Sequence, residues 1–308
     1  MNVKLGIIIV TYNSQNDIIR LLDSILIQDY SDLIIYIVDN NSSDNTLNLI
    51  KNYNTQFSIV IIATGVNNGY AAGNNIGIKR AIDDGCEFLF ILNPDMQLQK
   101  KCIPTLINRI LGDEKLAVIG PVVLFGNNHH DTIQDFGVKA NFKTQRKDDL
   151  FSNKKLTDQI PIENYVDLLL GGAMMIRSNV IRLTGMFEEN YFMYNDELDL
   201  AYRINKTGLR TLCLRDARVM HFHDFDKKNI VGNNLMYYYI MRNKYLYFKK
   251  YKLYKNLWIS LINEVFIFPL KILWALQRMG NIKILKFYYL GLIDGLKGKK
   301  GKSNILFN

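Results

Sequence analysis

Acidic and amide side chains in this sequence cluster where apolar runs end. Thr11-Tyr12-Asn13 follows Leu5–Val10, and Asp39-Asn40-Asn41-Ser42-Ser43-Asp44 follows Leu33–Val38. Asn67-Asn68-Gly69-Tyr70-Ala71-Ala72-Gly73-Asn74-Asn75 follows Phe57–Ile62, and Asn93-Pro94-Asp95 follows Phe88–Leu92. A carboxylate such as Asp39 can accept from a pyrimidine imide N–H, and Gly69 and Gly73 let backbone amides and a helix start approach phosphate. Asp95 at a strand end can hold a divalent cation on a diphosphate. Each has a plainer reading: Asp39 as a cap or turn residue, Asn-Gly and Gly-Tyr as ordinary turns, and Asp95 as a loop residue. Farther along, the cluster Asp196-Glu197-x-Asp199 follows the aromatic run Tyr191-Phe192-Met193-Tyr194. On a helix, at about 100° per residue, Glu197 and Asp199 lie about 160° apart and cannot face one pocket. Asp199 stands four residues before Arg203 and can pair with it. The plainer reading of the whole cluster is an acidic first turn favoured by the helix dipole. In Val219-Met-His-Phe-His223, a strand would point His221 and His223 to the same face.

The apolar runs that position these residues alternate with helical patterns. Leu5–Val10 reads as a strand buried on both faces. Ile18, Leu21, Leu22, Ile25 and Leu26 follow at helical spacing, with Ser14 and Asp17 approximating a capping box. Leu33–Val38, Phe57–Ile62, Phe88–Leu92 and Ala117–Leu124 read as further strands. Helices are expected from Ser43 or Asp44 to Lys51, over Ala71–Ile82 and over Ile103–Leu111. This alternation means a mainly parallel, right-handed α/β sheet, whose ligands bind at the carboxyl ends of the strands. A polar stretch over 126–161, containing His129 and His130, interrupts the rhythm as an excursion or mobile loop. The pattern then resumes over Tyr165–Ile176, a helix near Glu197–Lys206 stopped by Gly208, and short strands Thr211–Leu214 and Arg218–His221.

The length of 308 residues allows one large domain or a catalytic domain with an appendage, and 48% apolar with 22% charged residues excludes a disordered or collagenous chain. The net charge of +9 is unevenly spread: residues 1–100 carry 6 Lys/Arg against 10 Asp/Glu, 101–200 carry 11 against 14, and 201–308 carry 21 against 5. The basic last third suggests contact with something anionic: phospholipid headgroups, nucleic acid or a phosphate-bearing substrate. Three cysteines without CxxC spacing indicate neither a disulfide framework nor a zinc site and fit a reducing compartment. No signal peptide is expected, and Leu257–Leu276 is interrupted by Asn263, Glu264, Pro269 and Lys271, so it is not expected to span a membrane.

Order and spacing resemble a family. Val10-Thr-Tyr-Asn13, Val38-Asp-Asn-Asn-Ser-Ser-Asp44, Asn67 through Gly77, Leu92-Asn-Pro-Asp95, Gly171-Gly-Ala-Met-Met-Ile-Arg177 and Phe187 through Arg203 resemble the ordered motifs of family 2 glycosyltransferases. The Asn-Pro-Asp form and the Arg242-Asn243 segment are similar to bacterial rhamnosyltransferase-like members, and the likeness covers about residues 3–250. It implies a GT-A fold, an inverting mechanism, a nucleotide-diphosphate sugar donor (UDP or dTDP) and Mg²⁺ or Mn²⁺. Carried onto this chain, Thr11, Asp39 and Asn68 would contact the nucleoside, and Asp95 the metal–diphosphate. Tyr12, Asn13, Gly69, Gly73, Asn74 and Gly172 lie in the same motifs and complete the expected nucleotide-sugar set. Where the family commonly has Asp-x-Asp, this chain has Asn93-Pro94-Asp95, so Asn93 would bond ribose and His221 would supply a further metal ligand. The family's catalytic base falls on Glu197, with the Asp196-Glu197 order reversed from the usual Glu-Asp.

From Asn233 onward, Tyr, Phe, Leu, Ile, Lys and Arg recur at helical spacing, which sets a boundary near residue 230 between a catalytic region, 1–230, and a basic aromatic helical region, 231–308. Tyr237, Tyr238, Tyr239, Tyr245, Tyr247, Phe248, Tyr251, Tyr254 and Trp258 with their neighbouring lysines suit a membrane interface, the rings burying there and the cations reaching headgroups. A helical extension packed on the catalytic domain is the plainer reading. Nucleic acid is not expected, because no recognised motif accompanies the charge. The resulting expectation is an inverting hexosyltransferase, rhamnosyltransferase-like, peripheral at the inner face of the cell membrane and facing the cytoplasm. Its acceptor would be a glycan, lipid-linked, in surface polysaccharide assembly, and a homo-oligomer is compatible with the chain. A nucleotidyltransferase on a similar sheet and a non-catalytic membrane scaffold are the alternatives.

Overall fold

A computed structural model describes residues 3–127, 130–169, 172–222, 230–274 and 283–305. Gly171, His129 and His223, each singled out above, lie outside these residues. The first half is built as the alternation requires: β1 (Leu5–Thr11), α1 (Ile18–Leu26), β2 (Leu33–Asp39), α2 (Thr46–Lys51), β3 (Ser58–Ala63), α3 (Tyr70–Asp83), β4 (Phe88–Leu92), β5 (Met96–Leu98), α4 (Cys102–Leu111) and β6 (Leu116–Phe125). Then come β7 (Ile133–Asp135), β8 (Lys139–Asn141), β9 (Arg146–Asp148), β10 (Glu163–Val166), β11 (Ala173–Arg177), α5 (Ser178–Thr184), α6 (Asp196–Asn205) and β12 (Arg210–His221). The chain closes with α7 (Ile230–Lys250), α8 (Tyr254–Trp274) and α9 (Ile284–Lys297).

The main sheet has the order β10-β12-β6-β11-β4-β1-β2-β3, with β5 beside β12 and β7 beside β6. β1, β2, β3 and β4 are parallel, as is β12 with β6. β11 enters antiparallel between β4 and β6, which the alternation of strands and helices did not reveal. The two short strands expected near the end are one strand, β12, whose register shifts between Leu214 and Arg218. That continuity lets β12 pair with β5 and sets His221 opposite Met96, the residue after Asp95.

Side chains alternate across the sheet with period two. Ile7, Ile9, Ile35, Ile37 and Phe90 join α1 and α4 on one face, while Ile8, Tyr36, Leu89 and Ile91 join α3 and α6 on the other. Each fully buried Ile or Leu contributes about 1.5–3 kcal/mol. Helix α3 can lie this close because Gly73 and Gly77 have no Cβ: one would sit 2.7 Å from Val10 Cγ1 at Gly73 and 2.6 Å from Ile8 Cγ2 at Gly77.

Three local expectations change. The Ser14–Asp17 capping box does not form: the Ser14 hydroxyl accepts from the Tyr12 amide, and the Asp17 carboxylate pairs with Arg20. The polar excursion carries structure, with β7 on the main sheet and β8–β9 as a separate hairpin. Five of the nine aromatic residues singled out for a membrane interface are turned inward: Tyr238, Tyr239, Tyr245, Tyr247 and Phe248 are buried inside the protein. Helix α7 thus packs on the catalytic sheet's own elements, with Tyr191, Leu198 and Ala201 in one cluster with Tyr245 and Tyr247.

Candidate active site

The carboxyl ends of β1 and β2 carry Thr11 and Asp39 side by side, and both are fully buried. The Thr11 hydroxyl donates to Asp39 Oδ1 at 2.9 Å, the Ser42 hydroxyl to the same oxygen at 2.6 Å, and the Ser42 amide to Oδ2 at 2.9 Å. Asn13, at φ 53°, receives the Ser43 amide on Oδ1 at 2.8 Å and donates its own amide to the Ser42 hydroxyl at 2.9 Å. Asp39 and Asn13 therefore lock two loops together, and Tyr12, 53% exposed, forms the accessible rim.

At the start of α3, Gly69 has φ 91°, and a Cβ there would lie 2.2 Å from the Phe192 carbonyl oxygen, so only glycine fits. The space beside Gly69 and Gly73 is filled by Phe192, Val10 and Asn40, which makes their close approaches contacts within the protein. Asn68 is exposed beside them, and Asn74 is buried and donates to the Tyr70 carbonyl at 3.0 Å. The hydroxyl of Tyr70 is buried without a hydrogen-bond partner. Burial first, then the charges of Glu197, Asp196 and Asp95, push it well above the ordinary tyrosine range, so it stays protonated. Nothing in the sequence marked Tyr70 as more than a turn residue, yet it sits in the field of all three carboxylates.

After β4, the Asn93 amide donates to the Gly172 carbonyl at 2.8 Å. Gly172 has φ 122°, and a Cβ there would lie 2.4 Å from Met96 Cε. Asp95 faces His221, with Oδ2 3.2 Å from Nε2, and His221 Nδ1 lies 3.0 Å from Gln134 Oε1 on β7. When Nδ1–H donates to Gln134, Nε2 presents its lone pair toward Asp95. Gln134 belongs to the polar excursion and reaches His221 only through the pairing of β7 with β6. Among the described residues no three His, Cys, Asp or Glu side chains meet as a metal cluster. A carboxylate and an oriented imidazole nonetheless fit a hard divalent cation that takes its other ligands from diphosphate and water. Asp95 and His221 would hold it.

The acidic helix α6 separates three roles. Asp199 is fully buried and spent on structure: Arg203 donates to Oδ2 at 2.9 Å, while Lys250 and Tyr251 each reach Oδ1 at 2.8 Å. Asp196 is also fully buried, but neither carboxylate oxygen has a hydrogen-bond partner. Burial first, then the neighbouring Glu197 charge, raise its pKa well above the usual carboxylate range. Glu197 alone of the three is partly open to solvent.

The turn entering α6 is strained: Phe192, Tyr194 and Asn195 have φ of 65°, 63° and 67°, in the region that non-glycine residues avoid. Helix α7 holds it there. The Asn243 side-chain amide donates to the carbonyls of Tyr191 at 3.0 Å, Met193 at 2.7 Å and Tyr194 at 2.9 Å, and Arg242 reaches the Tyr191 carbonyl at 2.8 Å.

A mainly parallel sheet with β11 inserted antiparallel between β4 and β6, polar loops at its carboxyl edge and an acidic helix beside them define a glycosyltransferase of the GT-A fold. Residues 6–175 match the model of glycosyl transferase family 2, and the chain belongs to that family. It is 26% identical to the low-salt glycan biosynthesis hexosyltransferase Agl10 of Haloferax volcanii, over 97% of this chain and 92% of that protein. It is 23% identical to the N-acetylglucosaminyl-diphospho-decaprenol L-rhamnosyltransferase of Mycobacterium tuberculosis, over 70% and 75% of the two chains. The crystal structure of Staphylococcus aureus TarS in complex with UDP-GlcNAc superposes with a TM-score of 0.60 at 17% identity, covering 96% of this chain and 81% of that one.

Proposed function

We propose that this enzyme is an inverting hexosyltransferase, rhamnosyltransferase-like, that moves a sugar from a UDP- or dTDP-linked donor to a lipid-linked glycan in surface polysaccharide assembly. The observation that carries this reading is the division of labour on α6, where Glu197 is the accessible carboxylate beside a strained aromatic turn. The Glu197 carboxylate takes the proton of the acceptor hydroxyl as that oxygen attacks the anomeric carbon. The bond to the β-phosphate oxygen breaks on the opposite face, the diphosphate leaves with the electron pair, and the configuration inverts. Tyr12, Asn13 and Asn68 at the rim, with Thr11 and Asp39 behind them, receive the nucleoside, and Asn93 and Gly172 face the ribose and sugar. Asp95 and His221 would hold Mg²⁺ or Mn²⁺, which would supply positive charge against the diphosphate. The TarS complex with UDP-GlcNAc and the decaprenol-linked substrate in the mycobacterial enzyme's name support the donor class and the acceptor class. A lipid-linked acceptor places the enzyme at the inner face of the cell membrane.

The test is a thermal-shift screen of UDP-, dTDP- and GDP-sugars with Mn²⁺, followed by NMR of the product. An opposite anomeric configuration in donor and product is expected. Retention of configuration, or no transfer from any sugar nucleotide, contradicts the reading.

A further inference from the structure

Helix α8 is the one helix among the described residues long and apolar enough, over Tyr254–Leu273, to cross a bilayer. Its two faces differ. At about 100° per residue, Trp258, Ile262, Val265, Phe266, Leu270 and Leu273 fall within an arc of about 140°. All are exposed, Phe266 by 76%, Val265 by 73% and Leu270 by 65%. The opposite arc holds Leu257, Ser260 and Glu264, which are buried. There the Tyr245 and Ser260 hydroxyls lie 3.2 Å apart, and Glu264 pairs with Lys271 and accepts from the Tyr288 hydroxyl at 3.0 Å.

Two observations decide how this face meets its partner. Helices α7 and α9 flank α8 in the chain and pack directly on each other: a Cβ on Gly291 would lie 2.2 Å from the Tyr238 carbonyl oxygen, and one on Gly295 2.5 Å from that of Arg242. If α8 spanned a bilayer, α9 would emerge on the far side from α7, so spanning is incompatible with this packing. Charge then selects the partner. From residue 230 to the end there are 14 Lys and Arg but only two acids, Glu264 and Asp294. Both acids are buried, Glu264 paired with Lys271 and Asp294 with Lys299. The outward surface of this region therefore carries exposed lysines, among them Lys252, Lys255, Lys283 and Lys286, around an apolar helix face. Lys255, exposed in the first turn of α8, falls on the same arc as Trp258 and Ile262, where its long stem can carry the charge to the headgroups.

We propose that α8 lies in the plane of an anionic phospholipid bilayer, its exposed arc sunk into the headgroup–acyl boundary and the surrounding lysines on the headgroups. Six large apolar side chains in the interface and several cations within a Debye length supply both signals that stable peripheral binding needs. This deepens the membrane-surface reading above and names the element responsible. Asn243 stands on α7, the helix before α8, so the strained turn that it clamps and the lipid contact adjoin one helical unit.

The experiment uses the full chain. Flotation with phosphatidylglycerol/phosphatidylcholine vesicles is compared for wild type and the V265D/F266D variant, both of whose sites are exposed. We expect at least a tenfold loss of vesicle partition with unchanged donor turnover in detergent, and weaker wild-type binding to phosphatidylcholine alone. Cys86, Cys102 and Cys213 are buried, so W258C and L270C accept an environment-sensitive label selectively. Equal, shallow quenching depth at both positions is expected. Depths differing by about 18 Å, the rise of twelve helical residues, mean spanning and overturn the proposal. So does unchanged flotation of V265D/F266D, or a wild-type dimer that this variant converts to monomer without loss of vesicle binding. Absence of flotation by the wild type sinks the membrane reading itself, whereas absence of sugar transfer sinks only the catalytic one.

Discussion

The side-chain amide of Asn243 donates to the main-chain carbonyl of Tyr194 at 2.9 Å, joining the helix α7 to the strained turn that launches the acidic helix. The same nitrogen reaches Tyr191 and Met193, so one buried side chain holds three carbonyls of a backbone that would otherwise relax. Asn243→Ala is expected to cost about 1–3 kcal/mol in chemical denaturation. It should lower kcat at least tenfold, with a smaller effect on nucleotide affinity, because Asp39, Thr11 and Asn13 are held by their own loops and not by this turn. Unchanged kcat with reduced stability would show that the turn does not need its clamp.

Asp199 belongs to the same joint. Arg203 of its own helix and Lys250 and Tyr251 of the C-terminal region converge on it, and its carboxylate is fully buried. Removing one partner of such a buried ion pair costs about 3–5 kcal/mol. Asp199→Ala should show that loss in denaturant titration. Its remaining activity per folded molecule should stay within tenfold of wild type, because the carboxylate has no access to substrate.

The strands, the order of the polar loops and the pairing of Asp199 with Arg203 could be read from local spacing, because each depends on residues a few positions apart. What spacing could not reveal are relationships between distant segments. The antiparallel β11 reads as a strand like any other until its neighbours are known. Gln134 is one polar residue in a polar stretch, and only the pairing of β7 with β6 brings it to His221. Tyr238, Tyr239 and Tyr245 have the composition of an interfacial helix, and composition does not distinguish rings buried in protein from rings buried in lipid. Arg242 and Asn243 stood out by resemblance, while their physical task, holding the turn before α6, needed the fold. Glu197 was separable from Asp199 by helix geometry, but the isolation of Asp196 was not visible in sequence.

Asp196 gives a pH signature. Its folded pKa is raised above the unfolded carboxylate value, so the stability it contributes is fully present below about pH 4 and is lost as pH rises through the raised value. Asp196→Asn removes the ionisation. The variant's melting temperature should exceed that of the wild type at neutral pH, and the two should converge in acid. Parallel melting profiles across this range would contradict the assigned burial.

The pair Asp95 and His221 predicts metal-dependent donor binding. Isothermal titration of UDP- or dTDP-sugar with Mn²⁺ should weaken at least tenfold in Asp95→Ala and in His221→Ala, and wild type in EDTA should resemble both. Gln134→Leu, which releases Nδ1 of His221, should weaken Mn²⁺-dependent binding by a smaller factor. Donor affinity that ignores EDTA and both substitutions would remove the metal from this site.

The central claim is that Glu197 is the base. It is tested most directly by single-turnover transfer in Glu197→Gln, with nucleotide affinity and melting temperature measured on the same preparation. A rate lowered by about 10²–10⁴-fold, the usual worth of a positioned general base, is expected, with affinity and stability near wild type. Turnover close to that of the wild type would contradict it.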